Sequence, residues 1–322
     1  GIPKVGPNLK ANPEMVELIK LAGFDVVCLA NNHVLDHGEQ GLCETLEICK
    51  NNNIDTVGAG LTLQEARKAL YQNIKGQTVA IINFAENEFC NATLHRGGAN
   101  PMDLVDNVHQ IQEAREKADI VVAVVHGGHE FFSYPSPRMI KEYRFYIEQG
   151  ADAVVAHHPH CIGPYEFHQG KPIVYSLGNF LFPSTTSFKG WFEGFCIFLN
   201  FEQDAQPTLE ILPYRQCENG KLGLRSLDQE EKQQFERKMA NLCSILKYPD
   251  ALSEKWDNYI ATQELSCLGH LAMLGRWPMA LLRRQPWLSR FLNQKRLRIL
   301  LNIIQCEAHR DVSAAVLKRK IN

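Results

Sequence analysis

Three short segments concentrate the residue types that ligate metals and move protons: Asn31-Asn32-His33, His126-Gly127-Gly128-His129-Glu130 and His157-His158-Pro159-His160. Neutral imidazoles, with carboxylate and amide oxygens, suit divalent Zn, Mn or Fe. Two such ions activate a bridging water and clamp the charge that develops at a phosphoryl or acyl centre. No single segment can surround two ions, so ligands must arrive from several strand ends. His158 and His160 can chelate from one loop, with Pro159 fixing the turn between them. His126 comes from a neighbouring strand end, and Asn32 offers a carbonyl oxygen. His33 is the candidate acid for a leaving group, and Glu130, the nearest carboxylate, is the candidate ligand or base. Asp36 is placed to orient His33.

A lone histidine at a strand end is ordinarily a hydrogen-bonded core residue. Three such segments at successive strand ends point instead to a metal or catalytic site. His157 alternates with His158, so facing the site and facing away remain equally open for it. Asn31, Asp36, His157 and Asn179 are read as supporting or substrate-binding residues. His129 and His37 are read as supporting or surface residues, and His95, His109, His168, His270 and His309 as ordinary ones.

The histidine segments follow apolar runs at 26–30, 120–125 and 153–156, which predict strands. Further strands are predicted at 54–57, 78–84, 171–177, 194–201 and 208–214. Asn12-Pro13-Glu14 opens a helix, since asparagine caps and proline fits the first turn. Thr62 to Glu65 reads as a capping box, and helices are predicted at 40–50, 103–117 and 136–149. Strands joined by helices of this length imply parallel βαβ crossovers and a sheet covered on both faces, with the late strands as an antiparallel addition. Beyond about residue 220 the pattern is helical, and 290–305 is amphipathic and basic.

The chain has 322 residues, 45% hydrophobic and 22% charged, enough for a sizeable core. No run approaches the ~20 apolar residues that span a membrane. The first residues lack a signal-peptide pattern, but no initiator Met is present, so this says little about export. The ten cysteines form no Cys-x-x-Cys pair and read as buried free thiols of a reducing compartment. Residues 276–322 carry eleven Lys/Arg against Glu307 and Asp311, a formal +9, which leaves −11 for the rest of a chain of net charge −2. A basic tail on an acidic body suggests a polyanion or an anionic membrane surface as partner, against the plainer reading of a solvated amphipathic face. The tail lacks the aromatic interleaving of a nucleic-acid platform. Gly58-Ala59-Gly60 lacks the third glycine of a dinucleotide loop, and no Gly-x-Ser-x-Gly elbow occurs.

The run from Gly23 to Gly38, including Asn31-Asn32-His33-Val34-Leu35-Asp36-His37-Gly38, resembles the signature of CapA-type capsule synthesis proteins, bacterial poly-gamma-glutamate capsule factors related to the metallophosphoesterases. The resemblance continues through Val57-Gly58-Ala59-Gly60, the segment from His126 to Glu130, that from Gly150 to His160, and that from Gly170 to Phe180, covering roughly residues 5–215. It implies a metallophosphatase-like four-layer α/β sandwich over 1–217, lacking its first strand, and a basic C-terminal α-helical extension over 218–322. It also implies two divalent ions, with Asn32, His126, His158 and His160 as ligands and His33 as acid. Gly127 stands where the family has Trp, which predicts open space beside His126, and Ala156 stands where it has Gly. The family's opening Gly-Asp strand and the Asn-Leu-Glu segment after it are absent from the residues given. The expected function is a metal-dependent hydrolase or transferase of capsule or poly-gamma-glutamate biosynthesis, taking an anionic polymer or a phosphorylated or peptidic substrate. The alternatives are a non-catalytic polymer-handling or assembly factor and a generic metallophosphoesterase. Localisation stays open: the family is often membrane-associated or extracytoplasmic, whereas the cysteines point inward.

Overall fold

The computed structural model describes residues 1–202, 205–271 and 294–321, and within them the chain is mixed α/β. A six-stranded sheet runs from edge to edge as Leu70–Ile74, Gln77–Ala85, Ile120–His126, Ala153–His157, Lys171–Val174 and Tyr165–His168. Its four central strands are parallel. Their near-continuous Val, Ile and Ala content is what a strand covered on both faces requires. Leu104–Arg115 and Pro137–Glu148 are the crossover helices. Asp103 caps the first through the amides of Val105 and Asp106, at 3.0 and 3.1 Å, and Ser136 precedes Pro137 in the second. Ile82, Phe84, Val121, Val125, Tyr143 and Tyr146 form the centre of the main core.

Register matters more for the site than strand count. Ala85 is opposite His126, and His126 is opposite His157. The carboxyl ends of three strands therefore lie level, and the loops after them emerge side by side.

Val26–Cys28 and Asp55–Val57 form a separate two-stranded parallel sheet, shorter than the predicted 26–30 and 54–57. Buried Asn83 ties it to the main sheet. Its Oδ1 accepts the Ala30 N–H at 2.7 Å, and its Nδ2 donates to the Val124 carbonyl at 3.1 Å. Gly58, at φ +88°, lies so close to Asn83 that any Cβ there would collide with it.

The edge strands Leu70–Ile74 and Tyr165–His168 escape the periodicity reading because they are short and half-exposed. Each joins its partner through a tight turn, Lys75-Gly76 or Gln169-Gly170, whose residues all have positive φ, as two-residue hairpins demand. At the predicted capping box only Thr62 acts on the helix, Leu63–Ala66; Glu65 accepts from Leu61 rather than from Thr62. The late strands, Glu193–Asn200 and Thr208–Gln216, build an antiparallel sheet of their own with Leu224–Ser226.

Four C-terminal helices are described: Gln229–Ile245, Pro249–Leu271, Gln294–Gln305 and Glu307–Ile321. The first packs Phe235, Met239 and Leu242 against Ile162, Val174 and Phe195. Residues 290–293 of the predicted amphipathic stretch lie outside the described residues. Among the described residues no helix is long and apolar enough to cross a membrane. All ten cysteines are free thiols.

Candidate metal centre

The level strand ends bring four imidazoles together. His126 Nδ1 lies 2.9 Å from His157 Nδ1, and His126 Nε2 lies 3.1 Å from Asn32 Oδ1. An amide oxygen only accepts, so His126 carries its proton on Nε2, and its Nδ1 accepts from His157. His157 therefore faces inward. The His158 ring lies 4.7 Å from that of His126 and 5.8 Å from that of His160. His160 donates from Nδ1 to Asn179 Oδ1 at 2.8 Å and stacks on Trp191 at 4.6 Å. Asn179 thereby fixes the tautomer that leaves His160 Nε2 with its lone pair.

Burial pushes the pKa of His126 and His158 well below the usual imidazole range and brings His157 to about 4, and neighbouring imidazoles add to the effect. Neutral rings are the form that binds metal. His158 and His160 also sit at φ +124° and +59°, in the left-handed region. Non-glycine residues held there cost ~1–3 kcal/mol each and cluster at functional sites.

A second cluster surrounds His33. Asn31 accepts the His33 backbone N–H at 2.8 Å, which turns the chain. His33 Nδ1 lies 2.7 Å from Asp36 Oδ2, and Lys4 pairs with Asp36 and donates to the Asn32 carbonyl at 3.0 Å. Burial pushes the Asp36 carboxyl up, but hydrogen bonds from Lys4, Leu9 and His33 outweigh it and leave Asp36 below its usual value. Burial lowers the His33 pKa in spite of Asp36. Glu130 is exposed on the rim of a cavity that Asn32, His33 and His158 also line, and it makes no hydrogen bond with the imidazoles.

The donors fit a borderline divalent ion in kind: neutral imidazoles, amide oxygens and a carboxylate. As arranged, Asn32 and His126 bond to each other. Among the described residues no three His, Cys, Asp or Glu side chains are grouped so that they could hold one ion.

Two carboxylates that histidine spacing does not reveal belong to this region. Glu88 accepts from Asn32 Nδ2 at 3.3 Å, and burial pushes it up to about 7. Glu86 accepts the Gly128 N–H at 3.0 Å and pairs with Arg138. Both follow the Gln77–Ala85 strand, whose end lies opposite His126. The signal was a strand end followed by acids, Glu86-Asn87-Glu88. Glu86 also corrects the expectation for Gly127. The space where the family has Trp is filled, since a Cβ on Gly127 would come within 2.8 Å of Glu86 Cγ. Because Arg138 and Gly128 pin that carboxylate, Gly127→Ala is expected to cost about 1–3 kcal/mol. Equilibrium urea unfolding measures this, and an unchanged midpoint would show that Glu86 moves aside freely.

These features define an α/β protein with an imidazole and amide cluster at the carboxyl ends of its parallel strands. The model of the bacterial capsule synthesis protein family PGA_cap matches residues 1–184, and the chain belongs to that family. It is 38% identical over 187 residues to the PGA biosynthesis protein CapA of Bacillus subtilis, covering 57% of this chain and 48% of the relative. It is 35% identical over 190 residues to the capsule biosynthesis protein CapA of Bacillus anthracis, covering 57% and 45%. A "Probable polyglutamine synthesis accessory protein" of Mycobacterium tuberculosis matches at 28% over 183 residues, covering 53% and 48%. The chain spans about half the length of these curated relatives.

Proposed function

We propose that this chain is a metal-dependent hydrolase or transferase of capsule or poly-gamma-glutamate biosynthesis, built on a metallophosphatase-like four-layer scaffold. The observation that carries the reading is the meeting of His126, His157, His158, His160 and Asn32 at level strand ends, with the rings of His126, His157 and His158 held neutral by burial. In this reading Asn32, His126, His158 and His160 would hold two divalent ions of Zn, Mn or Fe type. The bound ion supplies Lewis acidity and an activated water. The protein's own groups do the rest. Asp36 pins His33 Nδ1–H, so the neutral ring presents Nε2 as the atom that takes up a proton and returns it to the leaving group. Glu130, on the rim, contacts substrate or relays that proton to water. The Lys/Arg-rich C-terminal stretch contacts the anionic polymer or a membrane surface.

The test combines metal content with turnover of γ-linked glutamate oligomers and of simple phosphate esters. The full chain is expected to bind divalent metal, and His158→Ala to weaken that binding at least tenfold. His33→Ala should keep the metal and lose ~10²–10⁴-fold in rate, the usual worth of a positioned acid–base. Turnover of phosphate esters alone points to a generic metallophosphoesterase. The absence of a three-ligand group among the described residues favours a second reading, a non-catalytic polymer-handling factor on the same scaffold. A purified chain that binds no divalent metal and turns over neither substrate decides for that reading.

A further inference from the structure

The family match ends at residue 184, yet three later helices wall the histidine site. They are Pro249–Leu271, Gln294–Gln305 and Glu307–Ile321. Together with the site they enclose a cavity of about 500 Å³. Its floor includes His33, His158 and Glu88, and its helical wall includes Tyr259, Gln263 and Asn302. This volume is typical of a small-molecule pocket, ~300–1,000 Å³.

The wall is fixed to the loops that carry the site. Glu307 accepts from both the backbone N–H and the side-chain amide of Asn87, each at 2.7 Å, and Asn87 adjoins Glu88. Asp311 accepts from Arg138 Nε at 2.7 Å. Two polar atoms lining this cavity are buried without a hydrogen-bond partner among the described residues, Asn302 Oδ1 and His129 Nε2. Asn302 is 4% exposed, and its Nδ2 lies 3.0 Å from His309 Nδ1, which directs the amide and leaves Oδ1 as an unused acceptor. Native proteins rarely leave such an atom unpaired. Glu88 and Glu130 line the cavity and Lys4 pairs with Asp36, so amide contacts on the helical wall, rather than a cationic subsite, are what the cavity offers a ligand.

We propose that this helical wall selects the ligand of the histidine site, and that Asn302 Oδ1 accepts a hydrogen bond from an amide N–H of a short chain end rather than of the polymer body. Naming that ligand as a γ-glutamyl end of one or two units rests on the capsule reading above; the wall itself does not. Gln263 is half-buried on the same wall and supplies a second amide.

The experiment is calorimetric titration of the full chain with γ-linked glutamyl di- and tripeptides, α-linked peptides and an N-acetylated amino sugar. The γ-linked peptides are expected to bind, Asn302→Leu to weaken them at least tenfold and Gln263→Leu a few-fold, with metal content unchanged. Gln263→Leu decides alone where Asn302→Leu does not fold. If only another amide-bearing ligand binds and the variants weaken it, the wall assignment stands and the polymer reading fails. If no amide-bearing ligand loses affinity in either variant, the wall assignment is overturned.

Discussion

Arg138→Met is expected to lower stability by about 3–5 kcal/mol, the cost of removing one partner from a buried ion pair. The guanidinium spends its fork on three carboxylates: Glu86 at 2.5 Å, Glu142 at 2.6 Å and Asp311 at 2.7 Å. Glu86 is only 4% exposed, and burial pushes it up to about 7 even with Arg138 beside it. Burial likewise raises Glu142 and Asp311. Without the cation these groups escape their mutual repulsion only by taking up protons. The loss should therefore be largest near pH 8 and shrink toward pH 5.5, which urea unfolding of the two proteins measures directly. A loss below about 1 kcal/mol at pH 8 would mean that the network is solvated and contributes only what a surface pair does. Glu86→Gln in the Arg138→Met background should recover part of the loss, because it removes one stranded charge.

Arg138 joins the site to the C-terminal helices. Through Glu86 it reaches the backbone of Gly128, and through Asp311 it reaches Glu307–Ile321. The same substitution should thus expose the C-terminal helices to proteolysis before the sheet unfolds.

The parts of this architecture that are legible in the sequence have a common cause. The central strands are apolar on both faces, so the first polar residues after them stand out, and those residues are the histidine segments. The edge strands alternate weakly and show themselves only through turn residues such as Lys75-Gly76. Glu86 and Glu88 were not legible because their value depends on register: nothing local says that Ala85 lies opposite His126. The orientation of His157 is illegible for the same reason: its inward face is set by the ring of His126 on the neighbouring strand. The tail shows a different limit. A net charge of +9 directs attention outward, yet the two acids it contains are the residues that fasten it inward. Glu307 reaches Asn87 across 220 positions, and Asp311 reaches Arg138. A sum over a segment cannot show which of its charges are buried.

Acidification should destabilise the chain, and the sign follows from opposing groups. Burial holds His129 at about 3 and His157 at about 4, below the unfolded value near 6.5, so their contribution is present above pH 6.5 and lost as pH falls. Burial raises Glu86 and Glu88 from 4.5 to about 7, so they bind protons in the folded state first and gain stability as pH falls through 7. Between pH 6.5 and 5 these two pairs cancel, at ~1.4 kcal/mol per pH unit for each group. His126 and His158, both lowered well below the usual value by burial, and His33, lowered by burial, stand against Glu142 and Asp311, which burial raises. The lowered imidazoles outnumber the raised carboxyls, so the folded chain binds fewer protons than the unfolded one and the stability profile slopes downward as pH falls through this window. Urea unfolding at pH 6.5, 6.0 and 5.5 gives this slope, and a flat profile would mean that the rings take up protons without unfolding. His129 isolates one proton outside the proposed ligands, because it is buried against Trp256 and Tyr259. His129→Phe should therefore flatten the slope, whereas a slope that does not change would show that His129 is already charged in the folded protein.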